Sequence, residues 1–212
     1  MLRRCITAWV VVVGLLVVSG ANAGELLDRG TLDPAWFGPD VEFRTTKDID
    51  YLWVKEGFSL QGRTLHIQPW VDPEFLAERG RRSPRDAAKA GELTELMPGR
   101  LRGALSVTLS GVAEVSREQG DILVTGRLVD CKAGSRTAKV MVGMGAGTAT
   151  ATWDMKFTDA ETGELLVAIH HRAASRSSMT EIDDRIHKWL EEFAEAAQSD
   201  FAGFQRGKPA TR

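Results

Sequence analysis

The sequence predicts a single α+β domain: a largely antiparallel or mixed sheet of about five to six strands, with two main helices packed on one face. Three observations point there. Along the chain the patterns run strands, helix, several strands, helix. The strand segments alternate with period two, while two longer segments repeat every three to four residues. The chain of 212 residues also has room for one domain with a proper core.

Two segments precede the domain. Residues 1–23 read as a signal peptide: Arg3 and Arg4, an apolar run from Ile6 to Val18, then the small-residue site Ala21-Asn22-Ala23 with cleavage before Gly24. The run falls short of the about 20 residues a spanning helix needs, and the early cysteine, Cys5, stands on the wrong side of it for a lipid anchor. The expectation is an exported, periplasmic chain of 189 residues, with membrane contact left open but no anchor of its own. Cleavage removes two arginines and no acid, taking the formal charge from −2 to −4. That balance, and the lack of any basic stripe, speak against nucleic acid as a partner. Cys131 alone survives processing, so no disulfide can form within the chain.

Residues 24–48 form an irregular leader containing Pro34 and Pro39, with Trp36-Phe37 as its docking point. The domain spans 49–206. Asp50–Val54 and Arg63–Trp70 read as strands. Ser83 caps a helix with Pro84 in its first turn and Asp86 at its third position. Leu93, Met97, Leu101 and Leu105 form its buried side, and Pro98-Gly99 predicts a kink or two abutting helices. Four strand patterns follow: Gly111–Val115, Asp121–Asp130, Thr148–Asp159 and Glu164–Ala173, the last two joined as a hairpin through Gly163. Thr180 and Asp183 open a final helix whose stripe is Ile182, Ile186, Trp189, Leu190, Phe193, Ala197, Phe201 and Phe204. Residues 207–212 read as a disordered tail.

The candidate sites are few. Gly143-Met144-Gly145-Ala146-Gly147 is no dinucleotide loop, because a strand pattern follows it where a helix N-terminus would have to bind phosphate. It is no P-loop either, because Thr148 follows Gly147 with no lysine between. Lys139 and Asp154 bracket a stretch without charge, so this segment is expected to be buried or to meet a partner. His170 and His171, adjacent in a strand, point to opposite faces and cannot share one metal. Cys131 follows a strand end at Asp130, where Lys132 could lower its pKa. No cofactor, metal or catalytic constellation is expected.

The stretch Gly126–Leu166 resembles the bacterial domain-of-unknown-function family 4410. The resemblance rests on Gly134-Ser135-Arg136, on Gly143 to Gly147, and on Asp159-Ala160-Glu161-Thr162-Gly163-Glu164. It implies an exported bacterial envelope protein, often a lipoprotein, of unassigned activity; this chain departs by lacking the anchor cysteine. The expected function is a non-catalytic module that binds an envelope protein or itself. The rival is a periplasmic hydrolase or small-ligand binder with a pocket near His170 or His171, Asp130 and Cys131.

Overall fold

The computed structural model describes residues 30–76, 82–134, 148–175, 182–203 and 208–209. Residues Ala21, Ala23 and Gly24, the segment Gly143–Gly147, the helix cap Thr180 and Phe204 therefore lie outside the described residues. In chain order the elements are α1 (Pro34–Phe37), β1 (Arg44–Thr45), β2 (Tyr51–Val54), β3 (Thr64–Ile67), α2 (Pro84–Thr108), β4 (Glu114–Ser116), β5 (Ile122–Lys132), β6 (Thr150–Asp159), β7 (Leu165–Ala174), α3 (Ile182–Gln198) and β8 (Lys208–Pro209).

The eight strands among the described residues join one mixed sheet in the order β4-β3-β5-β6-β7-β2-β1-β8. β3 runs parallel to both β4 and β5, because α2 carries the chain across between β3 and β4. The other pairings are antiparallel, and β5-β6-β7 form its long centre. The strands exceed the expected five to six because β1 and β8 are two-residue pairs, too short to show alternation. Lys208–Pro209, placed in the tail, pairs with Arg44–Thr45 as an edge strand.

Both long helices lie on one face, which encloses the main core. From α2, Leu93, Met97, Leu101 and Leu105 are fully buried; from α3, Ile186, Trp189, Leu190, Phe193 and Ala197 are buried, as is Phe201 just beyond its end. Against them the sheet presents Leu65, Ile67, Val124, Leu128, Trp153, Met155, Phe157, Val167 and Ile169. Trp153, Trp189, Phe193 and Phe201 form a run of ring contacts with centroid separations from 4.8 to 5.7 Å. Gly126 is required here. Trp70 lies so close that a Cβ at 126 would sit 2.4 Å from its ring.

Of the two readings of Pro98-Gly99, two abutting helices fails: α2 runs through as a single helix. Proline removes the hydrogen bond that the Thr94 carbonyl would accept. Burial of Thr94, Met97, Pro98 and Leu101 on the same side holds the axis together despite that loss.

The two helices are clamped by Asp183, in the first turn of α3, which accepts from Lys89 at 2.8 Å and Arg100 at 3.0 Å, both on α2. Burial works to raise the Asp183 pKa, but the hydrogen bonds and charges of Lys89 and Arg100 outweigh it and hold it below the ordinary value. A depressed carboxylate contributes stability above its unfolded pKa of about 4, and that contribution is lost as pH falls through the folded value. Asp183→Asn should therefore lower the melting temperature by a few degrees at pH 7, and the gap to wild type should close on acidification. A gap independent of pH would mean that the carboxylate charge does not hold the clamp. Trp189→Ala, which opens a cavity between α3 and the sheet, should cost roughly 3–5 kcal/mol in denaturant unfolding.

Candidate functional site

The sheet's outer face, away from the helices, carries an unusual row. Register pairs Arg127 on β5 with Asp154 on β6, Asp154 with His170 on β7, and His170 with Tyr51 on β2. Arg127, Asp154 and His170 are at most 2% exposed, so three polar side chains are sealed side by side across the middle of the sheet. Arg127 Nε donates to Asp154 Oδ2 at 2.9 Å, and the other oxygen, Oδ1, lies 2.6 Å from His170 Nδ1. A carboxylate only accepts, so the imidazole proton sits on Nδ1 and faces Asp154.

The cover over this row is the leader. Gly30–Phe43 crosses the outer face as a strap and buries Leu32, Phe37 and Phe43 around Ala168, with Tyr51, Trp53 and Leu165 beside them. Edge-to-face rings lead from Trp36 through Phe37 and Phe43 to Tyr51, which meets His170 at 5.6 Å. Asp33 does two things. Its Oδ1 caps the α1 turn by accepting from Ala35 N at 3.0 Å, and its Oδ2 accepts from Arg127 at 3.3 Å. Glu74, from the segment after β3, accepts from a third nitrogen of the same guanidinium. The Trp36 ring lies 4.6 Å from the Arg127 guanidinium carbon and 4.3 Å from Lys156 Nζ, which also donates to the Trp36 carbonyl at 3.3 Å. Burial, and then the charge of Arg127, pull the Lys156 pKa below the usual lysine value.

Thr31 Oγ1 lies 3.4 Å from His170 Nε2, which completes a hydroxyl–imidazole–carboxylate order. That order recurs in acyl-transfer enzymes, but there the hydroxyl must be open to a substrate. Here Thr31 is 3% exposed and His170 and Asp154 are fully buried, so no reacting atom can approach. The row is built to hold the strap.

The residues expected to share a pocket do not converge. His170 faces the strap, whereas His171 faces the helices and stacks on Trp189 at 4.8 Å. Asp130 pairs with Thr152 on the outer face, close to Arg82, while Cys131 is buried in the helix-side core. Burial first, and then the Asp130 charge, push the Cys131 thiol up to about 12, against the lowering that Lys132 was expected to give. No group of three or more metal-ligating side chains occurs among the described residues, and no described helix is long and apolar enough to cross a membrane.

Removing one member of the buried pair leaves the other charge sealed without its partner. Arg127→Met and Asp154→Leu should each cost roughly 3–5 kcal/mol of stability. Made together they should recover a large part of the summed loss, read as coupling in a double-mutant cycle by urea unfolding. Additive losses would mean that the two charges do not depend on each other.

Comparison with known proteins gives a family. No curated protein matches the chain. Among solved structures, similarity reaches the PelC dodecamer from Paraburkholderia phytofirmans, with 7% identity, 69% of this chain and 96% of that one covered, and a TM-score of 0.48. Protein XCC0632 from Xanthomonas campestris is similar with 12% identity, 72% and 92% covered, and a TM-score of 0.42. A minor lipoprotein from Acinetobacter baumannii is similar with 10% identity, 69% and 97% covered, and a TM-score of 0.31. At such scores and identities these names remain properties of those proteins. The family model for a domain of unknown function, DUF4410, matches residues 56–176. That span takes in α2, β3 to β7 and all of Arg127, Asp154 and His170, and leaves out the strap and α3. With more than half of its length matched, the chain belongs to the DUF4410 family.

Proposed function

We propose that the protein is an exported component of the bacterial cell envelope that works by binding another protein or a second copy of itself. The export half of this reading rests on the pattern of residues 1–23, from Arg3-Arg4 to Ala21-Asn22-Ala23.

One observation carries the binding half. The outward ridge of α2 presents Leu96, Gly99, Gly103, Ser106, Val107 and, just past the helix, Ser110, without a single charge over roughly 21 Å. Val107 is 79% exposed and Leu96 40%. The charges in this stretch turn away from the ridge: Arg100 binds Asp183, and Arg102 donates to the Ile67 carbonyl at 3.1 Å. A Cβ on Gly99 or Gly103 would meet nothing, so the ridge is low enough for another backbone to come close. At its C-terminal end it runs into an open groove of about 520 Å³ whose lining includes Ser106, Ser110, Gly111 and Val112 and also the charged Arg63 and Glu114, beside the edge strand β4. An exposed apolar ridge continuing into a sheet edge has the character of a protein-contact surface.

A photoreactive amino acid placed at Val107 should capture a discrete protein adduct in the intact envelope, whereas one at Glu195, on the exposed side of α3, should not. Val107→Asp should change stability by less than about 0.5 kcal/mol, as surface changes do, yet abolish association measured with the captured partner. No adduct from position 107, or equal adducts from both positions, would overturn the assignment of the ridge.

A further inference from the structure

The strap behaves as a ligand built into the chain. Its seat is made of β2, β5, β6 and β7, which are hydrogen-bonded to one another with no help from the strap. The backbone–backbone hydrogen bonds of the α1 turn are internal, from Trp36 N to Asp33 O and from Gly38 N to Pro34 O, and its backbone meets the sheet where the Trp36 carbonyl accepts from the Lys156 side chain. What joins the turn to the sheet is side-chain chemistry that a separate peptide could supply equally well. Asp33 meets Arg127, Trp36 meets Arg127 and Lys156, Phe37 fills the hollow over Ala168, and Thr31 meets His170. The turn is also preorganised, because Asp33 caps it and Pro34 fixes its first helical φ. A peptide that forms its bound shape unaided loses less on ordering. Directly after it, Gly38 adopts φ +123, a conformation that favours glycine, and Pro39 follows. The α1 turn thus ends at a sharp bend within the strap instead of continuing as regular structure into the sheet.

We propose that this seat is a peptide-recognition groove selective for an acidic residue, a proline and a Trp-Phe pair. The chain's own Thr31–Phe37 fills it within one molecule, and the same segment of a second copy fills it between molecules. The second copy is the chosen occupant because the matching chemistry is present wherever another copy is, and exchange of an identical element is an accessible route to association. This deepens the binding reading of the protein but uses a face remote from Val107, so either can fail without the other.

The test uses the full chain. A fluorescein-labelled peptide of residues 30–45 is titrated by anisotropy into wild type and into Asp33→Ala, which loses its ion pair to Arg127 and its cap. The peptide should bind Asp33→Ala about tenfold or more tightly than wild type, whose own strap competes. The same peptide carrying Asp33→Ala or Phe37→Ala should lose about tenfold or more on the unchanged protein. Mixing Asp33→Ala, with its weakened strap, and the Arg127→Met/Asp154→Leu double variant, folded and with an intact strap over a damaged seat, should give a dimer by sedimentation that neither gives alone. Absence of peptide binding to a folded Asp33→Ala, or equal binding of all peptides, would overturn the groove. Selective peptide binding with no dimer in the mixture would overturn the second copy as its occupant.

Discussion

A guanidinium cannot discard its charge, and Arg127 lies 2% exposed in β5, one of the three long central strands of the sheet. Burying such a group without partners would be prohibitive, so everything near it is arranged around its five donors. Asp154 takes one from the adjacent strand, Asp33 one from the strap and Glu74 one from the segment after β3. Trp36 covers the flat side. Three pieces of chain far apart in sequence are thereby fixed to one point. His170 then follows from Asp154, whose second oxygen needs a donor, and Thr31 follows from His170. Net stabilisation from buried charge is modest at best, but the demand for partners is exacting, and that demand settles where the strap lies.

The two faces of the sheet are therefore held by different physics. The helix side is held by area: large apolar side chains from α2, α3 and the central strands, tolerant of local loss as the unbroken helix through Pro98 illustrates. The outer side is held by a small number of directional contacts beside a smaller apolar cluster. Between Leu128 and Asp130 the register on β5 shifts by a bulge, which brings Asp130 opposite Thr152 on the outer face and returns Cys131 to the helix-side core. Without that extra residue the side chains beyond it would swap faces.

This difference explains what could be read from the sequence. The helix side was legible because its signal is periodicity: Leu93, Met97, Leu101 and Leu105 recur at helical spacing, and Trp189 and Phe193 stand on a stripe. The opposite facing of His170 and His171 was legible for the same reason. The row under the strap was not. Arg127, Asp154 and His170 occupy alternate, polar positions in strands, and alternation alone assigns such positions to water. Only three-dimensional pairing across β5, β6 and β7 brings them together, and only the strap, whose four-residue helix and two-residue strand have no period to detect, takes the water away. The spacing of Asp33, Pro34 and Trp36-Phe37 did carry a signal, an N-cap followed by proline and an aromatic pair, but a cap that short is easily read as a loop.

The ridge of α2 and the strap seat lie on opposite sides of the sheet, since α2 packs on the helix face and the strap on the outer one. Contacts made through both can coexist on a single molecule. A ridge meeting the same ridge on another copy is self-complementary and closes as a pair, whereas a strap entering a neighbour's seat joins two different surfaces. Exchange of that second kind closes when two copies trade straps reciprocally and extends when each passes its strap onward. The span from the bend at Gly38 to β1 decides which is possible, because Phe43 and Val41 also pack in the outer cluster and must either travel with the strap or stay behind. If they stay, only the residues before Gly38 move, and their reach favours a close reciprocal pair over an open chain.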